Sequence, residues 1–370
     1  MKKLDYKLLF AVILLTLFGL LMIYSSSSVW AQYKFNDSFR YLKLQGIFFI
    51  ISLIAIFIVI KVDYMYYLKK ANIILVICFL LLLLVLIPGL GVIRNGSRSW
   101  FKLGFIAMQP SEFMKLALII FTSKYLSNNL KEIKHIFKGV IPILSITILA
   151  FLLIMLEPDM GTGLIILVTT IGLLFVSGVK LSFFVKIIIL GLIGMSGLIL
   201  IAPYRLNRIL SFINPFNDPL GTGFQAIQSM YAIGPGGLFG TGLFKSIQKQ
   251  FYLPEPQTDF IFSIISEEFG ILGSIIVLGL FSYIIYRMIR ISLKCNDLFS
   301  KFLCFGIIFQ LSIQIILNLG VVTTLFPVTG VTLPFLSYGG SSLLITYISI
   351  GIILNISKHN TWYLFTYQKK

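Results

Sequence analysis

A chain of 370 residues with 58% hydrophobic and only 12% charged side chains, at a mean hydropathy of +0.98, is too apolar for a soluble globule, which carries about 25% charged residues. The composition specifies an integral membrane protein. Its net charge of +17 implies anionic membrane lipid as a partner and, without a soluble basic surface, excludes nucleic acid. Cys78, Cys295 and Cys304 have no CxxC spacing, and His135 and His359 have no metal-ligand company. Neither a disulfide framework nor a cofactor site is therefore evident.

A hydrocarbon layer of about 30 Å takes about 20 apolar residues per helix. Such runs occur at 8–24, 45–61, 71–88, 139–156, 160–178, 181–202, 260–286, 300–320 and 336–356. A further run, 110–126, is interrupted by Glu112 and Lys115 but is too apolar for a loop. The expectation is an all-α, polytopic fold: residues 1–370 as a single membrane domain of about ten transmembrane helices. The first run follows Lys2, Lys3 and Lys7 without a small-residue cleavage site, so it reads as a retained helix.

With the N-terminus in the cytoplasm, inner segments hold 19 of the 30 basic residues and outer segments 10, with Lys115 inside the fourth span. The positive-inside rule then places both termini in the cytoplasm. Two polar loops fall outside: 89–109, and the long stretch 203–258 between the seventh and eighth spans. Loops beyond about 15 residues are usually functional or disordered. Phe212, Phe216, Phe224, Tyr231 and Phe251 supply apolar anchors along the second, which predicts that it folds against the outer membrane surface.

Along the chain, Glu112 and Lys115 are three residues apart and share a helix face. A structural ion pair at a helix start headed by Pro110 is one reading; an intramembrane charged site is the other. Arg205 and Arg208 could clamp an anionic group or simply snorkel to headgroups. The cluster Gly234-Pro-Gly-Gly-Leu-Phe-Gly-Thr-Gly242 fails as a nucleotide phosphate loop, since no glycine directly precedes Lys245. Its backbone amides, with Lys245 and Lys249, could still hold an anion, or the cluster could be a plain turn. Segment Tyr252–Gly270 then sets Glu255, Asp259, Glu267 and Glu268 where a polar loop becomes an apolar helix, in a chain with only 13 acids. On a helix, Glu268 lies nearly opposite Asp259, which suits a structural role.

Seven blocks, in order, resemble the signatures of the SEDS proteins (shape, elongation, division and sporulation). They are Tyr24-Ser-Ser-Ser-Ser-Val-Trp30, Asn95-Gly-Ser-Arg-Ser-Trp100, Gln109-Pro-Ser-Glu-Phe-Met-Lys115, Pro158-Asp-Met-Gly-Thr162, Gly234-Pro-Gly-Gly237, Tyr252-Leu-Pro-Glu-Pro-Gln-Thr-Asp-Phe260 and Leu333-Pro-Phe-Leu-Ser-Tyr-Gly-Gly-Ser-Ser342. The likeness is strongest to the sporulation branch, followed by the division and elongation branches. Two positions depart from the usual pattern: Gln257, where many members carry histidine, and Glu157, where glutamine is more usual.

The resemblance implies a peptidoglycan glycosyltransferase in the bacterial cytoplasmic membrane. It would polymerise lipid II on the outer face, release undecaprenyl pyrophosphate, and work with a class B penicillin-binding protein. Asp259 resembles the family's essential aspartate. With no histidine or cysteine in position, the base for the incoming sugar hydroxyl must be a carboxylate. Pro254 and Pro256 restrict its approach, though Asp259 or Thr258 could instead be no more than a helix N-cap. Lys115, Arg98, Trp100, Arg205 and Arg208 are the candidates to meet substrate, and a divalent cation could share their electrostatic work. A lipid II flippase and a non-catalytic scaffold for the penicillin-binding protein are the alternatives, although no inverted repeat is evident.

Overall fold

The structure, a computed structural model, describes residues 4–94, 97–104, 106–201, 212–221 and 223–367. Its helices are α1 (Tyr6–Phe35), α2 (Arg40–Lys61), α3 (Met65–Leu86), α4 (Pro110–Asn128), α5 (Ile141–Leu156), α6 (Met160–Val176), α7 (Leu181–Ile201), α8 (Phe224–Ile233), α9 (Ile261–Ser292), α10 (Leu298–Val322) and α11 (Gly340–Tyr367). Among the described residues, seven helices are long and apolar enough to cross a membrane: α1, α2, α3, α5 with the turn before it, α9, α10 and α11. The remaining expected runs are also helical, as α4 and the shorter apolar helices α6 and α7.

The all-α expectation needs one correction. Residues read as an outer loop hold a three-stranded antiparallel sheet, β1 (Gly91–Arg94), β2 (Ser97–Leu103) and β3 (Ile106–Met108), in the order β1-β2-β3. Val92, Ile93, Trp100 and Phe101 are strand-forming residue types, but strands this short leave no trace in a search for membrane-length runs. The sheet covers the ends of α3 and α4.

Inside hydrocarbon every backbone polar group needs an internal partner, which favours helices with well-closed ends. Asp5 caps α1 by accepting from Leu8 N at 3.1 Å, and Asp297 caps α10 by accepting from Ser300 N at 2.7 Å. Helix α11 packs on α2, α1 on α2 and α9, and α10 on α4, α6 and α9. Leu15, Met22, Ile56, Ile264, Leu303 and Ile350 fill the main core. Within it the fully buried Tyr347 donates its hydroxyl to Thr16 Oγ1 at 2.8 Å, the partner such a hydroxyl requires.

Helix α9 is broken at Gly270, whose φ of 65° and ψ of −160° are non-helical. The glycine-rich loop lies in that break. Thr241 N–H donates to Glu267 O at 2.9 Å and Gly242 N–H to Glu268 O at 3.0 Å, while Ile271 N–H returns to Gly237 O at 2.9 Å. The cluster is thus a structural insert, with the amides of Thr241 and Gly242 consumed by the helix rather than offered to an anion. A Cβ at Gly270 would meet Gly240 N at 2.5 Å and Leu238 O at 2.6 Å. Both the left-handed φ and the close approach demand glycine. Gly270→Ala is expected to destabilise the fold by about 1–3 kcal/mol, seen as a lower thermal unfolding midpoint of the detergent-solubilised protein; an unchanged midpoint would contradict this role.

Candidate active site

The segment that carries Asp259 is strapped down by its backbone. Ser337 Oγ donates to Thr258 O at 2.5 Å, Tyr338 N–H to Gln257 O at 2.8 Å, and Asn318 Nδ2 to Asp259 O at 2.8 Å. The hairpin before α11 and the end of α10 therefore fix the main chain of residues 257–259. Helix α9 starts at Ile261 with Phe260 at its N-cap and no side-chain capping bond, while Thr258 Oγ1 is spent on Glu255 O at 2.9 Å. The capping explanation for Asp259 and Thr258 is thereby removed. Among the described residues the Asp259 carboxylate makes no hydrogen bond or ion pair. It keeps a partial opening to the exterior and is walled by protein elsewhere. Burial pushes its pKa up to about 7, with the negative charges of Glu255 and Asp159 adding to the rise.

Asp159, which sequence reasoning did not single out, belongs to this neighbourhood. It caps α6 by accepting from Thr162 N at 3.1 Å, and it accepts from Gln109 Nε2 at 2.8 Å and Ser111 Oγ at 3.3 Å at the start of α4. Gln109 N–H in turn donates to Ser341 Oγ at 3.2 Å at the start of α11. The N-termini of α4, α6 and α11 are thus stitched together beside the strap that starts α9. Their dipoles present positive ends to one place, a setting that favours anionic groups.

Lys115 is almost fully buried in α4, its Nζ 2.9 Å from Glu112 Oε1 and 3.1 Å from Gln314 Oε1 of α10. Gln314 lies four residues, about one helical turn, before Asn318, the residue that donates to the main-chain oxygen of Asp259. The ion pair and the site reading are compatible.

Lys249 has a different place. It is buried, with Nζ 2.9 Å from Glu268 Oε1 and 3.2 Å from Ser25 Oγ. Its ammonium is engaged in an internal pair, where the sequence left it open to hold an anion. Glu268 also accepts from Ser25 Oγ of α1 at 2.6 Å, and Glu267 accepts from Ser246 Oγ at 2.5 Å and Ile247 N at 2.7 Å. Lys245 is exposed on the same loop. Arg98 reaches Leu86 O at 3.5 Å, and Trp100 stands opposite Val92 in the sheet. Arg205 and Arg208 lie outside the described residues. Among the described residues, no group of three or more His, Cys, Asp or Glu side chains could hold a metal ion.

A family model described as "Cell cycle protein", covering FtsW, RodA and SpoVE, matches residues 6–362. The chain belongs to the FtsW/RodA/SpoVE family. It is 52% identical to stage V sporulation protein E of Bacillus subtilis over 358 residues, covering 97% of this chain and 98% of that one. A probable peptidoglycan glycosyltransferase FtsW of Trichlorobacter lovleyi is 41% identical over 353 residues, covering 95% and 93%. Among solved structures, a peptidoglycan synthase complex that coordinates polymerization and crosslinking superposes with a TM-score of 0.79 at 30% identity, covering 97% and 98%. Thermus thermophilus RodA superposes with a TM-score of 0.72 at 27% identity, over the same shares.

Within this FtsW/RodA/SpoVE member, Glu157 is fully buried just after α5, and neither carboxylate oxygen has a partner among the described residues. Burial, followed by the charge of Asp159, pushes its pKa up to about 8. At neutral pH it is a protonated acid, close in shape and charge to the glutamine more usual at this position. Because the folded pKa stands above the ordinary value of 4.5, the native state holds a proton that the unfolded chain releases between pH 4.5 and about 8. Stability therefore falls as pH rises through that window. Glu157→Gln should unfold at the native midpoint near pH 4.5 and above it beyond pH 8; a native protein that stays equally stable beyond pH 8 would rule out the buried neutral acid.

Proposed function

We propose that this integral membrane protein is a peptidoglycan glycosyltransferase that polymerises lipid II by glycosyl transfer at Asp259, on the outer face of the bacterial cytoplasmic membrane. The observation that carries the assignment of the base is a carboxylate with no donor among the described residues, held by its backbone and raised towards neutrality, at an end of the bundle where three stitched helix N-termini present positive dipoles. A base is most useful when its pKa lies near the working pH.

In this reading Asp259 takes the proton from the acceptor's GlcNAc 4-hydroxyl. The hydroxyl oxygen bonds to the anomeric carbon of the donor MurNAc as the bond to the pyrophosphate oxygen breaks, and undecaprenyl pyrophosphate departs with its electron pair. Lys115, the helix dipoles and the basic residues Arg98, Arg205, Arg208 and Lys245 offset the charge of that leaving group, and Trp100 meets the substrate. Glu112 holds the Lys115 ammonium in place. The ten helical runs all span, both termini are cytoplasmic, and the segments 89–109 and 203–258 are the outer loops. Seven membrane-length helices and the basic residues gathered at the expected inner ends support this arrangement. A class B penicillin-binding protein crosslinks the product, as suggested by the likeness to a synthase complex that couples the two steps. The setting is spore cortex synthesis or cell division, a reading supported by a relative named for sporulation and a family described by the cell cycle.

The direct test supplies labelled lipid II to the purified chain and its class B partner, native or Asp259→Asn. Native protein should make glycan strands, and the folded variant should lose the activity by at least about a hundredfold, the scale of a general base. Equal strand synthesis by both would sink the assignment, and lipid II crossing liposomes without any polymerisation would favour the flippase.

A further inference from the structure

Helix α10 carries Gln310, Gln314 and Asn318 at four-residue intervals, all buried on one face of an apolar helix. Carboxamides inside hydrocarbon are costly unless their atoms are bonded, so what these three touch is informative. Gln314 turns its oxygen to Lys115 Nζ at 3.1 Å and its nitrogen to Thr332 O at 3.0 Å and Ser342 Oγ at 3.4 Å. Asn318 gives its nitrogen to Asp259 O at 2.8 Å and to Val331 O at 2.7 Å. Gln310 Oε1, on the same face, has no partner among the described residues.

Two amides one helical turn apart thus hold consecutive carbonyls of the hairpin, 331 and 332; Gln314 also accepts from the Lys115 ammonium, and Asn318 also donates to the main-chain carbonyl of Asp259. We propose that Gln314 and Asn318 are positioning residues that set the Lys115 ammonium and the Asp259 carboxylate at a fixed separation, with the 331–342 hairpin clamped to the same helix. This rests on the glycosyl-transfer reading given above. The choice of amide follows from the bonding: Gln314 must accept from an ammonium with one atom and donate to a carbonyl with the other. A carboxylate cannot donate, and an aliphatic side chain can do neither. Rigid backbone supplies the spacing, since four residues of helix rise about 6 Å. Displacement of a reacting group by about 1 Å can cost about a hundredfold in rate, so the pair governs turnover rather than affinity.

The test measures kcat and KM for labelled lipid II with the full chain and its class B partner, in native protein, Gln314→Met, Gln314→Glu and Gln310→Met, with thermal midpoints alongside. Gln314→Met should lower kcat by about tenfold or more with KM within about twofold. Gln314→Glu, which retains the oxygen facing Lys115 but cannot donate to Thr332 O, should recover only part of that loss, and Gln310→Met should match native. Should Gln314→Met fail to fold, Gln314→Ser takes its place in the comparison. Equal losses in both Gln314 variants, no loss in either, or a loss confined to KM would overturn the positioning role while native polymerisation leaves the glycosyltransferase reading standing. A native complex that makes no glycan would overturn both.

Discussion

Glu268 is a carboxylate with no side-chain exposure at the meeting point of α1, α9 and the glycine-rich loop, and the architecture of the candidate site depends on matching its charge. A buried ion left unpaired costs about 3–5 kcal/mol. Lys249 from the loop and Ser25 from α1 supply the match together. Glu267, its neighbour, gathers Ser246 and the amide of Ile247. The two acids draw a loop that is otherwise polar and glycine-rich down onto the break at Gly270. With the loop seated there, residues 252–260 have little freedom in how they approach the start of α9.

From that anchoring the electrostatics of Asp259 follow. Its main chain is held by Asn318, Ser337 and Tyr338 through the carbonyls of residues 257–259, so the segment is positioned with no hydrogen bond to the carboxylate among the described residues. A carboxylate stabilised by donors would have its pKa lowered and would be a poor base near neutrality. Here burial and two nearby acids act in the opposite direction. Lys115 in turn is held by Glu112 and Gln314.

Much of this was readable from residue order. The apolar runs located the helices, and Glu112–Lys115 and Asp259 stood out because charges are rare in such a chain. The helical repeat sets Glu268 nearly opposite Asp259; in the structure the helix begins after Asp259, at Ile261, and Glu268 bonds Ser25 of α1. What could not be read depended on contacts across long separations. Lys249 looked like a loop cation available to substrate, and only the fold brings it to Glu268. The glycine cluster looked capable of holding an anion, whereas a broken helix consumes its amides. The sheet of 91–108 escaped because short strands carry too little hydropathy signal. Gln310, Gln314 and Asn318 did leave a trace, as amides at four-residue spacing inside an apolar run, which is a pattern worth weighing alongside charges.

Asp259 titrates near neutrality, buried close to two acids and with no donor to its carboxylate among the described residues. The most direct measurement is an infrared titration of carboxyl bands in the purified protein, with Asp259→Asn subtracted to isolate this residue. A band that ionises with a midpoint near pH 7 is the predicted result. A midpoint at or below the ordinary aspartate value of 3.8 would mean that a donor stabilises the anion, contradicting the account of the site.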